Sequence, residues 1–425
     1  MTTELLNQEN HSRKLVITAE NFIITAVSLS LFGGRWISYI GLPNYNLFLL
    51  DFLYFFGVVG IMLFQKRSFT TKSTILVTLL LTLFISFQLS RNLDYPLVTR
   101  LRDLVPFLYL LTTAVIIKKF PTTAWIRTIR LVRFATVFGA IWTDLVMVGI
   151  LKEFSAPLQF SGVPIFSARW DHSGISICIG LLLWGSFPRA KLTENVPVRL
   201  FLLISILLQY SRASYVGLFF ALTSVYFATK WKRKINSDQK ARFLKACLVL
   251  FIIGIPTLTL LAPIIPQNSA LSRIGIENIF SPIKLIQDAR DSGTANARIE
   301  AQKLLTNWLY QNGLEFLGAG PGREMVLESN AYKFLSGARD VRSPHSWFYG
   351  NFGRFGFLGL ILWHLVCFFY LRAQKYRLPI FDFPKNILMV IYVIALFGVV
   401  MESPFGMLPF SFFLGGGKLL DLSDE

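Results

Sequence analysis

The sequence predicts an all-α polytopic membrane protein of about twelve transmembrane helices with one large extracytoplasmic loop. Three observations carry the prediction. The chain is 53% hydrophobic and 16% charged, with a mean hydropathy of +0.53, which is too apolar for a soluble chain of 425 residues. Apolar runs long enough to cross a bilayer recur along it. Its formal net charge of +18 is spread unevenly over the short segments between those runs, the bias that orients membrane proteins. In a soluble protein such a charge would suggest nucleic acid. Here the membrane bias accounts for most of it.

Taken in order, the runs place spans near residues 20–40, 45–64, 73–90, 102–118, 134–151, 173–187, 198–210, 213–229, 243–263, 348–371, 386–401 and 404–417. The start, MTTELLNQENHSRK, is polar and acidic and predicts no cleavable signal peptide. Lys and Arg concentrate in alternate segments, such as Lys118 to Arg133 and Lys230 to Lys245, and thin out in the others. That alternation predicts a multi-pass protein with both termini in the cytoplasm. The domain reading is residues 1–263 with nine spans, 264–347 as an extracytoplasmic (periplasmic) loop, and 348–425 with three spans and a short cytoplasmic tail.

The outer loop holds one amphipathic helix, expected from Ala297 to Asn312, with Asn296 as N-cap and Gly313 at C′. Ala301, Leu304, Leu305, Trp308 and Leu309 fall on one of its faces. After it comes LGAGPG, Leu317 to Gly322, either a turn or a phosphate cradle. It follows a helix and lacks phosphate-loop spacing, which favours the turn.

Candidate chemistry gathers beside this loop. In SPHSWFYGNFGRFGFLG, Ser343 to Gly359, Ser343 suits an N-cap and Pro344 a first helical position. His345 then falls in the first turn, where the helix dipole keeps the imidazole neutral and able to take a proton. Gly356, eleven residues on, returns to nearly the same face. It leaves either room for substrate or a surface for close packing. Arg212, between two apolar spans, either snorkels to the interface or faces a polar cavity. Arg298 near the start of the loop helix either pairs with Glu300 or Asp291 or awaits an anion. Arg169 stands with Asp171 and His172 as an acid–base cluster or a helix start. Arg91, Arg100 and Arg102 make a further outer basic group suited to lipid head groups. The cysteines Cys178, Cys247 and Cys367 and the scattered histidines show no metal-ligand spacing.

Three segments together resemble the O-antigen ligase family, within the bacterial polysaccharide polymerases and ligases. They are QYSRASYVGL around Arg212, the run from Asn296 to Gly322, and SPHSWFYGNFGRFGFLGL. RWDHSGISICIGL, from Arg169, resembles a further segment more weakly. The resemblance implies a membrane glycosyltransferase that moves a glycan from an undecaprenyl diphosphate carrier to an acceptor hydroxyl, inverting and metal-independent, with no cofactor. It implies His345 as the catalytic base and Arg212 and Arg298 as the diphosphate-binding pair. Arg169, Arg91, Arg354 and Gly356 are candidate supporting residues. Implied partners are the carrier-linked donor, a lipid-linked or glycan acceptor (lipid A-core for a ligase) and membrane lipids, with no nucleic acid, at the inner (plasma) membrane. Two departures, Ser346 after the histidine and Arg354 late in the motif, leave the base assignment standing and the acceptor open. A polymerase joining carrier-linked repeats is the alternative. A lipid-linked sugar transporter would call for an inverted repeat, and none is visible.

Overall fold

The computed structural model describes residues 19–42, 47–64, 72–147, 170–186, 196–208, 214–219, 293–323, 325, 346–373, 383–397 and 400–416. These residues are almost wholly helical. The helices are α1 (Ala19–Gly33), α2 (Arg35–Ser38), α3 (Leu49–Phe64), α4 (Lys72–Leu89), α5 (Leu97–Lys119), α6 (Thr122–Met147), α7 (Trp170–Ser186), α8 (Val196–Leu208), α9 (214–219), α10 (Gly293–Gln311), α11 (Trp347–Ala373), α12 (Phe383–Phe397) and α13 (Pro404–Gly415). A 3₁₀ turn, Val400–Glu402, leads into α13. Two two-residue strands, Gly41–Leu42 and Leu47–Phe48, pair antiparallel before α3.

The twelve-residue α13 is the hub. Pro404 starts it after Ser403, Gly416 ends it, and all of its residues are buried. It packs against α5, α12 and α3. Ser411 ties it to them: its hydroxyl donates to the Tyr109 carbonyl at 2.7 Å and lies 2.8 Å from Thr113 Oγ1 and 3.1 Å from the Tyr54 hydroxyl. In an apolar interior a hydroxyl needs such partners. Phe412 sits 4.0 Å, centroid to centroid, from Trp125 of α6.

Outward faces are apolar too. Ile75, Leu76, Leu79, Leu83 and Phe87 form an exposed stripe on α4, and Phe357, Ile361, Leu365 and Phe368 form another on α11. Stripes of this kind at helical spacing are faces suited to cover by lipid or by another apolar surface. One helix among the described residues, Trp347–Leu371, is long and apolar enough to cross a membrane by itself; α1, α3, α12 and α13 are apolar but shorter.

Three expectations are corrected by the helix boundaries. The fifth span was placed at 134–151, but α6 begins at Thr122 and takes in the basic segment before it. That segment stays helical because its cations have partners: Arg127 lies 3.8 Å from Glu20, and Arg133 sits over Trp184 at 4.0 Å. The loop helix α10 begins at Gly293, so Asn296 is inside it and does not cap it. Helix α11 begins at Trp347, after Ser346, later than the start expected from Ser343 and Pro344, and His345 itself lies outside the described residues. The α10 C-terminus is as expected. Gly313 (φ 63) follows Asn312, its N–H donates to the Tyr310 carbonyl, and the Leu314 N–H donates to the Leu309 carbonyl at 2.9 Å. That is the Schellman pattern, with Leu314 packed on the Leu305–Leu309 cluster.

Candidate functional site

The site is built around a break in α11. At Gly356 the backbone turns to φ 63, ψ −162, which splits the helix into two halves. A broken helix exposes carbonyls on one side and N–H groups on the other. The segment from Leu314 to Gly322 satisfies both. Ala319 and Gly320 donate to the carbonyls of Gly353 and Arg354, each at 2.8 Å. In return Phe357 and Leu358 donate to the carbonyls of Glu315 and Phe316 at 2.9 and 3.0 Å. The space over Gly356 is filled by the backbone of Phe316 and Gly318. Close packing is therefore what this glycine serves, and any side chain there would meet peptide.

The glycine-rich loop is held from the other side by the α4–α5 connection. Arg91 donates to the carbonyls of Leu317 and Gly318 at 2.6 and 2.7 Å, and Asn92 to those of Ala319 and Pro321 at 2.9 and 3.1 Å. Partial burial lowers the Arg91 pKa from its ordinary value, yet a guanidinium stays charged at neutral pH. Gly318 donates to the Leu314 carbonyl at 2.7 Å and Gly322 to Asp103 Oδ2 at 2.7 Å. With those of Ala319 and Gly320 these are all the N–H groups from Gly318 to Gly322, since residue 321 is proline. A phosphate would find no backbone donor left between Gly318 and Gly322. The loop is a structural clasp.

Beneath the clasp lies a buried charge cluster. Arg354, 5% exposed, sits with Nε 3.2 Å from Asp103 Oδ1 and Nη1 3.2 Å from Glu402 Oε1. Arg102 donates to Asp51 at 2.8 Å and to the Glu402 backbone carbonyl, and its guanidinium lies 4.4 Å from the centre of the Phe48 ring. The Tyr109 hydroxyl donates to the other Asp51 oxygen at 2.6 Å. Five charged groups on α3, α5, α11 and the 3₁₀ turn thus pair with one another, two guanidiniums against three carboxylates. Removing any one strands its partners in a low-dielectric interior.

Against this cluster opens a cavity of about 120 Å³. Asp103, Arg102, Arg354 and Glu402 form its polar side, and Tyr39, Phe48, Trp347 and Phe355 its aromatic side. Asn351 also lines it, 5% exposed, with an Nδ2 that has no hydrogen-bond partner among the described residues. Trp347 begins α11, and Ser346 before it donates to the Leu396 carbonyl of α12 at 2.9 Å. The cavity therefore opens two residues from His345 in sequence.

Of the residues singled out from sequence, Arg354 lines the cavity, while Arg91 and Gly356 hold the clasp. Arg100 and Arg102, expected at lipid head groups with Arg91, instead face protein: Arg100 donates to the carbonyls of Leu89 and Tyr95. Arg298 falls in the second turn of α10, not its first. His345, Arg212 and Arg169 lie outside the described residues, as do all of residues 220–292. Asp51, Asp103, Glu402 and Asn351 were missed. The available signal was an acid inside an apolar run, as in LLDFLYFF and VVMESPFG, which demands a partner.

Residues 198–364 match the family described as O-Antigen ligase, a stretch that takes in Arg212, Arg298, His345, Arg354 and Gly356. No curated protein matches the chain.

Proposed function

We propose that this chain, which carries the O-antigen ligase family domain across residues 198–364, transfers a glycan from undecaprenyl diphosphate to an acceptor hydroxyl at the outer face of the inner membrane. The observation that carries the reading is that one family match contains Arg212, Arg298 and His345, the three residues to which the chemistry is assigned. The twelve-span topology with cytoplasmic termini and the outer loop 264–347 belongs to the same reading. The exposed apolar stripes on α4 and α11 support it.

The donor sugar is joined to a diphosphate at its anomeric carbon. The acceptor oxygen attacks that carbon from the opposite side, and His345 takes the hydroxyl proton as the new C–O bond forms. The old C–O bond breaks and its electron pair leaves with the diphosphate. Arg212 and Arg298 neutralise the charge that develops there, as fixed guanidinium groups do well. One displacement inverts the anomeric centre. No metal or nucleotide enters the scheme.

A ligase places the glycan on lipid A-core; a polymerase places it on another carrier-linked repeat. A single outer loop over one His–Arg cluster favours the ligase. The test is purified protein incubated with undecaprenyl diphosphate-linked glycan and lipid A-core without added metal, with products read by mass spectrometry. Glycan on the core supports the ligase, and lengthened carrier-linked glycan supports the polymerase. An untouched donor with every hydroxyl acceptor overturns both.

A further inference from the structure

We propose that the cavity between Asn351, Trp347, Tyr39 and the Arg354–Asp103–Glu402 cluster is a binding subsite for a neutral sugar ring of the glycan. The inference rests on the transferase reading but assigns a site apart from the diphosphate arginines.

Charge decides the ligand class first. Both guanidiniums at the cavity are matched: Arg354 by Asp103 and Glu402, and Arg102 by Asp51 and the Glu402 carbonyl. A phosphate or diphosphate would meet carboxylates already neutralising those cations, so the cavity disfavours anions. No group of three or more metal-binding side chains occurs among the described residues, and these carboxylates are already engaged.

Shape and polarity then select among neutral ligands. One water occupies roughly 10–15 Å³ of such space. The 120 Å³ here takes several waters or a single small ring. Aromatic side chains on one side and fixed polar groups on the other suit a molecule with an apolar face and a rim of hydroxyls, which is a pyranose. Asn351 supplies the directional element. A buried amide N–H without an acceptor is destabilising. A hydroxyl or acetamido oxygen in the cavity would meet that need. Position fits as well: Trp347 and Asn351 lie in the first turns of α11, directly after His345.

Saturation-transfer NMR on the purified full chain in zwitterionic nanodiscs tests the proposal. The neutral probes are the methyl glycosides of glucose, galactose and N-acetylglucosamine, and inorganic pyrophosphate is the competitor. At least one glycoside should receive saturation, pyrophosphate should not displace it, and His345→Ala should retain it. Asn351→Leu should bind about tenfold more weakly, as loss of one buried hydrogen bond implies. The same variant should melt no lower than wild type, because it removes an unmet donor. Should its bulk prevent folding, Asn351→Ala removes the donor without adding volume and gives the same reading. No transfer to any glycoside, displacement by pyrophosphate, or unchanged binding in the Asn351 variants overturns the subsite. Glycan transfer on the same preparations separates the two ideas. Wild type that transfers but binds no glycoside keeps the transferase and loses the subsite. Asn351-dependent binding without transfer does the reverse.

Discussion

Arg354 and Asp103 meet at 3.2 Å in the interior and join the half-helix that follows His345 to the middle of the bundle. The same Asp103 holds Gly322 of the glycine-rich clasp at 2.7 Å. One carboxylate therefore fixes both the first half of α11, just before its break, and the loop that fills that break.

That coupling sets a stability prediction. Arg354→Met leaves Asp103 and Glu402 buried without their cation, and Asp103→Asn leaves Arg354 half-matched. Each should lose about 3–5 kcal/mol, as broken buried pairs do. Denaturant titration of the purified protein reads this. The double variant should lose less than the sum of the two, and strict additivity would show that the pair is not coupled.

Two glycines with positive φ give a contrast in magnitude. Gly313 (φ 63) has open space where a Cβ would stand, so Gly313→Ala meets backbone strain alone, about 1 kcal/mol. Gly356 (φ 63) faces the Phe316 and Gly318 backbone. Gly356→Ala should cost clearly more, because peptide must move as well as twist. Thermal melts of the two variants side by side decide it, and equal losses would contradict the clasp geometry.

Arg91→Ala withdraws the donors on the Leu317 and Gly318 carbonyls. A loss of about 1–3 kcal/mol follows from leaving such acceptors unmet. Amide exchange at Ala319 and Gly320 should quicken, while exchange in α13 should not. Unchanged protection at Ala319 and Gly320 would mean that Asn92 holds the loop by itself.

Much of the architecture was legible in the sequence because apolar runs and α-helical period are local properties. The runs at 73–90, 198–210 and 404–417 fall within a few residues of α4, α8 and α13. The Gly313 helix end was legible because a Schellman cap needs only its own glycine. What the sequence hid was non-local. Arg102 reads as an outer cation until Asp51, fifty-one residues away, is seen beside it. LGAGPG reads as a turn or a phosphate cradle until the α11 break supplies acceptors for Ala319 and Gly320. Arg127 and Arg130 read as a loop between spans until Glu20 and the packing of α6 keep the segment helical.

In the proposed mechanism His345 takes the acceptor's proton while Arg212 and Arg298 hold the diphosphate. The direct measurement is single-turnover transfer from undecaprenyl diphosphate-linked glycan by His345→Ala, Arg212→Ala and Arg298→Ala, each matched to wild type for folding and for donor binding. His345→Ala should bind donor as wild type does and lose transfer by about 10²–10⁴-fold, the range a general base contributes. Both arginine variants should bind donor more weakly and transfer more slowly. Wild-type transfer by His345→Ala would contradict the claim outright.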